Sequence, residues 1–146
     1  MDRHGVMRRL EELLDDAHTG LLATVDEQGR ANLRWMIPVV LRSRPDHLFA
    51  FSCTGTRKVA DIETNPRVTW LIQNRSITEV ITLYGVMRGI DNPALKNEIF
   101  ENVGARLESF WKMHCRLDEF VILETRLEKA VHYLPMKDQR AEVLFL

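Results

Sequence analysis

The chain has 146 residues, 45% of them hydrophobic and 28% charged, with a formal net charge of -1. That length and balance predict one domain over residues 1–146 with a real core, and argue against a disordered chain or a basic nucleic-acid binder. No apolar run approaches the roughly 20 residues that span a bilayer, and the charged N-terminal stretch lacks the apolar core of a signal peptide, so no membrane association is expected.

Val6, Leu10, Leu13, Leu14 and Ala17 share one face of a first amphipathic helix. Gly20 to Val25 reads as a strand, Asp26 to Gly29 as a hairpin turn, and Arg30 to Leu41 as the returning strand. Ser43-Arg44-Pro45-Asp46 turns the chain into a strand over His47 to Ser52. A short helix follows and ends at Pro66. Val68 to Gln73 and Thr78 to Ile90 then read as strands around the turn Asn74-Arg75-Ser76. Asn92-Pro93 supplies the cap and first-turn proline of a late helix carrying Leu95, Ile99, Phe100, Val103, Leu107, Phe110 and Trp111. Phe120 to Leu127 and Ala130 to Leu134 close the chain as two more strands. About seven strands at hairpin spacing with helices at the margins predict a mainly β protein, an antiparallel β-barrel with peripheral helices. The absence of alternating βαβ units argues against a Rossmann-type site.

Cys53 and Cys115 stand apart without CxxC spacing, which reads as two free thiols in a reducing, cytoplasmic setting. The five histidines show no metal-ligand spacing, and no metal is expected.

Chemistry concentrates in Phe51 to Val68, FSCTGTRKVADIETNPRV. A strand ends, Gly55 lets the backbone approach a ligand closely, Thr56 stands at an N-cap position, and Arg57 and Lys58 occupy the first helical turn. Two cations at the positive end of a helix cost stability unless an anion sits there. Free amides, the helix dipole, an arginine fork and a lysine charge together make a phosphate site. The competing reading is a solvated, weakly capped surface helix. Arg34 lies in the strand segment NLRWMIPV, sharing a face with Asn32 and Met36. It is either a third cation of the corner or an arginine on a solvent face.

LFAFSCTGTRKVADIETNPRVTWLI resembles the signature of the pyridoxamine 5'-phosphate oxidase-like, FMN-binding split-barrel family. GLLATVDEQGRANLRWM is similar to its first hairpin and VITLYGVMRGID to its later strand with an internal glycine. Length and the late helix are closest to the short general-stress-protein subgroup. The resemblance implies a six-stranded split barrel that forms a homodimer, with one FMN in each of two interface clefts. It implies Arg34 and Lys58 on the FMN phosphate, with Thr56 and Arg57 beside them. Trp35 and Met36 would lie along the isoalloxazine edge, and Phe51 and Ser52 match an aromatic–hydroxyl pair, Ser52 able to bond a phosphate or ribityl oxygen. Tyr133 falls where the subgroup carries a tryptophan, and His18 where related nitroimidazole-resistance proteins keep a histidine.

The sequence also departs from the true oxidases. Val39 stands where they have a second lysine. Val80 stands where they have a flavin-binding glutamine, with Thr78 and Glu79 as possible substitutes. The terminal segment VHYLPMKDQRAEVLFL lacks their basic substrate motif. Pyridoxamine phosphate oxidation is therefore not expected. The resemblance implies an FMN-dependent oxidoreductase using reduced nicotinamide and a small acceptor. The alternatives are a non-catalytic flavin store, sensor or electron carrier, or a heme or deazaflavin binder on the same barrel. Trp70, Trp111, Phe110 and Phe120 are candidate interface aromatics.

Overall fold

The computed structural model describes residues 1–102 and 120–145. Helix α1, Arg3–Ala17, begins where Asp2 accepts from the Gly5 amide at 2.8 Å, and ends at His18 in the left-handed region with φ 64°. Its apolar face, Val6, Leu10, Leu13 and Leu14, is buried against the sheet. Strands β1, Gly20–Val25, and β2, Ala31–Met36, form the first hairpin. Asp26 shapes their turn by accepting from the Gln28 and Arg30 amides at 3.0 and 2.9 Å, with Gly29 at φ 78°. Next come β3, His47–Cys53; helix α2, Arg57–Thr64; β4, Arg67–Gln73; and β5, Val80–Ile90. Residues 93–102 are helical. The chain closes with β6, Phe120–Leu134, a 3-10 turn at Pro135–Lys137, and β7, Gln139–Leu144.

All pairings are antiparallel, in the order β2-β1-β4-β5-β6-β3, with β7 also on β6. The expectation of a mainly β, antiparallel fold with peripheral helices holds, but the sheet has seven strands rather than six. Six is the number that the resemblance implies; the strands read along the chain also number seven but are not the same seven, since β6 is one strand of 15 residues where two are expected and the C-terminal residues add β7. One edge of β6 follows β5. The other is shared, residues 120–126 pairing with β3 and residues 129–134 with β7. Glu128 is the extra residue at the register shift opposite Tyr84 and Gly85, so the strand bends where it changes partner.

The sheet path is open, with β2 at one end and β3 at the other. The expected strand over Arg30 to Leu41 breaks after Met36, since buried Pro38 has no amide to donate. Val39 beyond it makes an isolated bridge to Phe49 of β3, with reciprocal bonds of 2.7 and 2.9 Å. Two apolar clusters result. The larger fills the sheet interior beneath α1, around Trp70, Leu22, Leu83 and Leu127. The smaller joins Val39, Phe49, Phe51, Leu95, Ile99, Phe120 and Ile122. Two of the suggested interface aromatics are therefore core residues: Trp70 is fully buried and donates from Nε1 to Thr125 Oγ1 at 3.0 Å, and Phe120 is in the smaller cluster. Phe110 and Trp111 lie outside the described residues. Cys53 is disulfide-bonded, which overturns its reading as a free thiol. No described helix is long and apolar enough to cross a membrane.

Candidate functional site

The corner begins at β3, whose last residues deliver Ser52 and Cys53 to the loop before α2. Gly55 adopts φ 78°, which explains the glycine; open space surrounds its missing side chain, so conformation and not crowding selects it. Thr56 occupies the N-cap position, yet its hydroxyl does not bond the helix. It lies 3.2 Å from the hydroxyl of buried Ser52 instead. The first-turn amides of α2 are thus left without a side-chain cap, the state in which a helix start can accept an anion.

Lys58 is half-buried in that first turn and has no ion pair among the described residues. Burial, and then the nearby Arg34 charge, hold its ammonium below the ordinary lysine range. Arg34 is half-buried on β2 and donates from Nη1 to the Leu22 carbonyl at 3.2 Å. Burial draws its guanidinium below the usual arginine value, Asp61 opposes this, and Arg57 adds to it. Two half-buried cations that repel one another are an arrangement that a bound anion relieves.

Arg57 behaves differently from its neighbour. It is exposed and donates from Nη2 to Asp26 Oδ2 at 3.0 Å, on the β1–β2 turn. Asp26 also accepts from Asn32 Nδ2 at 3.3 Å, and the backbone amide of Arg30, foremost, holds its carboxyl below the ordinary aspartate range. Asp61, one turn along α2 from Lys58, is buried and accepts from fully buried Thr24 Oγ1 at 3.1 Å. Thr24, Asp26 and Asp61 were not singled out from the sequence. They come from β1, its turn and α2, and only the fold brings them beside the three cations.

Arg34, Ser52, Thr56, Arg57 and Lys58 are therefore gathered at one corner. The side chains of Met36 and Phe51 are not: Met36 is 7% exposed in the larger cluster, and Phe51 packs against Phe100 and Phe120 at ring separations of 5.4 and 5.8 Å. Trp35 is on the opposite face of β2 and 67% exposed. What Trp35 and Met36 can offer a ligand at this corner is backbone, along the edge of β2 that carries no neighbouring strand. Glu79 is no substitute for the missing glutamine. It accepts from Arg9 Nε at 2.8 Å, pairs with Arg9 Nη2, and meets His132 Nε2 at 2.6 Å. His18 caps α1, and Tyr133 donates to Asp138 at 3.2 Å under the Arg140 guanidinium. Cavities of 460 and 450 Å³ lie along α1 and residues 38–46, away from the corner. No group of metal ligands occurs among the described residues.

Among solved structures, the chain is similar to a protein related to general stress protein 26 from Clostridium acetobutylicum, with TM-score 0.76 and 15% identity over 99% of this chain and 97% of that one. General stress protein 26 from Bacillus anthracis gives TM-score 0.71 and 18% identity over 93% and 97%. A FAD-binding protein from Mesorhizobium loti gives 0.66 and 16% over 84% and 90%. At these identities the likeness is one of fold. No curated protein sequence matches. The model of the pyridoxamine 5'-phosphate oxidase family matches residues 6–132, a span that takes in most of α1, the β3–α2 corner and most of β6. By that match, the chain belongs to the pyridoxamine 5'-phosphate oxidase family.

Proposed function

We propose that the corner binds the phosphate of a flavin nucleotide, FMN in the first instance, and that the chain is a flavin-dependent oxidoreductase. The observation that carries this reading is Lys58: half-buried, without an ion pair among the described residues, beside Arg34 and at an uncapped helix start. Ser52 and Thr56 offer hydroxyls at the same place. The flavin would supply the redox chemistry, with reduced nicotinamide as donor and a small molecule as acceptor. The chain's own part is to hold the phosphate and align the ring along the free edge of β2. We place the protein in the cytoplasm, where reduced nicotinamide is available.

A homodimer completes this reading. Leu33 and Trp35 are 68% and 67% exposed and continue through Leu21, Ala23, Leu71 and Thr69 to Tyr84 on one outer sheet face. A face that apolar is suited to a second copy of the same chain. A non-catalytic flavin carrier is the second reading, favoured by Val39. Where the oxidases have a lysine, this buried valine is occupied in bridging β3, and no cation stands there.

The first experiment is an absorbance spectrum after incubation with FMN and desalting. Flavin bands at about one per chain support the site. A colourless protein sinks the FMN reading, and turnover with reduced nicotinamide then separates enzyme from carrier.

A further inference from the structure

The cavity of 450 Å³ lies between the first half of α1 and residues 40–46, apart from the α2 corner. Its size is within the range of about 300–1,000 Å³ that small-molecule pockets occupy. Met7, Val40 and Leu41 make its apolar side. Met7 and Val40 pack on the larger cluster, and Leu41, 2% exposed, belongs to the smaller one. Anchored in both cores, that side cannot shift to fill the space without disturbing either. The loop wall is tied as well. The Leu41 carbonyl accepts from the Arg44 amide at 3.1 Å, and the Asp46 carbonyl accepts from the Leu127 amide at 3.0 Å.

The carboxylates and guanidiniums of the lining sort into pairs, with one left over. Arg3 donates from Nη1 to Asp46 Oδ2 at 2.9 Å, and Arg42 Nη2 lies 3.6 Å from Glu11 Oε2. Arg8, one helical turn after His4 on the same wall, has no hydrogen bond or ion pair among the described residues. We propose that this cavity binds a hydrophobic carboxylic acid, its body on Met7, Val40 and Leu41 and its carboxylate on Arg8. An arginine fork takes a carboxylate through two parallel hydrogen bonds. One spare cation balances one negative charge. A monocarboxylate therefore suits the lining better than a phosphate monoester, which carries about -1.5 to -2 at neutral pH.

The test is a calorimetric titration of the full chain with naphthoate and with its uncharged counterpart, naphthamide. Wild type is expected to bind naphthoate at one site per chain. Arg8→Gln should bind it about tenfold more weakly, while naphthamide binds both proteins equally. Arg8 is exposed and glutamine is a good helix former, so the variant keeps the fold. Met7→Glu, which sets a like charge on the apolar side, should also weaken naphthoate and gives a second variant. Saturating FMN should leave naphthoate in place. Wild type that binds no naphthoate, equal affinity in wild type and Arg8→Gln, or naphthamide as tight as naphthoate overturns the inference. Displacement by FMN overturns it too, by moving the carboxylate to the α2 corner.

Discussion

Arg57 reaches back 31 residues to Asp26, donating from Nη2 to Oδ2 at 3.0 Å, while Lys58 beside it has no such partner among the described residues. Two adjacent cations therefore have separate duties. Arg57 fastens α2 to the β1–β2 turn, and Lys58 is left for the proposed phosphate.

Lys58→Ala is accordingly expected to weaken FMN at least tenfold, on the order of 1.5 kcal/mol for one charge-assisted contact. Arg57→Ala should weaken it by no more than about threefold, the effect of an exposed charge nearby. Fluorescence-quenching titrations of both variants decide the matter. Equal losses would put Arg57 back on the phosphate.

Glu79 anchors α1 to the sheet through Arg9 and closes on His132 of β6. The Arg9 hydrogen bond, foremost, holds its carboxyl below the ordinary glutamate range against the opposing cost of burial, and His132 helps. Glu79→Gln should cost about 2–3 kcal/mol near neutrality, less than a fully buried pair because Arg9 is 36% exposed. A depressed folded-state pKa gives stability that is complete above the unfolded value of about 4.3 and fades as pH falls through the folded one. Denaturant melts should thus show wild type and variant converging below about pH 4. A gap that persists at acid pH would remove the charge from the explanation.

Gly85 faces β6 where the strand bends. A Cβ there would lie 2.4 Å from the Arg126 carbonyl oxygen and 2.8 Å from Thr125 Cγ2. The carbonyl is backbone and cannot step aside, so Gly85→Ala is expected to destabilise by about 3 kcal/mol. Thermal melts would measure it. A neutral result would mean that β6 relaxes at Glu128.

Leu33→Glu with Trp35→Glu places two carboxylates on the outer face of β2. The double variant should run as a monomer in sedimentation velocity under conditions where wild type is a dimer. An unchanged dimer moves the interface to another surface.

The sequence carried β1, β3 and the start of α2 to within a residue or two, because turn residues bracket short apolar runs there. It missed β7, whose inward positions Ala141 and Val143 are too few to stand out, and it split β6 where Lys129 and Glu128 interrupt the apolar pattern. At the site, Lys58 and Arg34 were legible because a cation is out of place at a helix start or in an apolar strand. Asp61 was not. On paper it is an ordinary acid of a short helix, and its meaning depends on Thr24, 37 residues away, being folded beneath it. Phe51 illustrates the converse: its place beside Ser52 suggested a ligand contact, but its ring fills the smaller core.

The seam between β2 and β3 gives the fold a mechanical asymmetry. Neighbouring strands elsewhere share at least three registered pairs, whereas one bridge, Val39 to Phe49, spans this gap. Opening there breaks two hydrogen bonds of 2.7 and 2.9 Å and leaves the other pairings intact. The Val39 and Phe49 amides should therefore exchange with solvent through a hinge-like parting of the wall, well before the molecule unfolds. A nucleotide lying from the α2 corner along the free edge of β2 would brace that parting, coupling occupancy of the site to the stiffness of the whole wall.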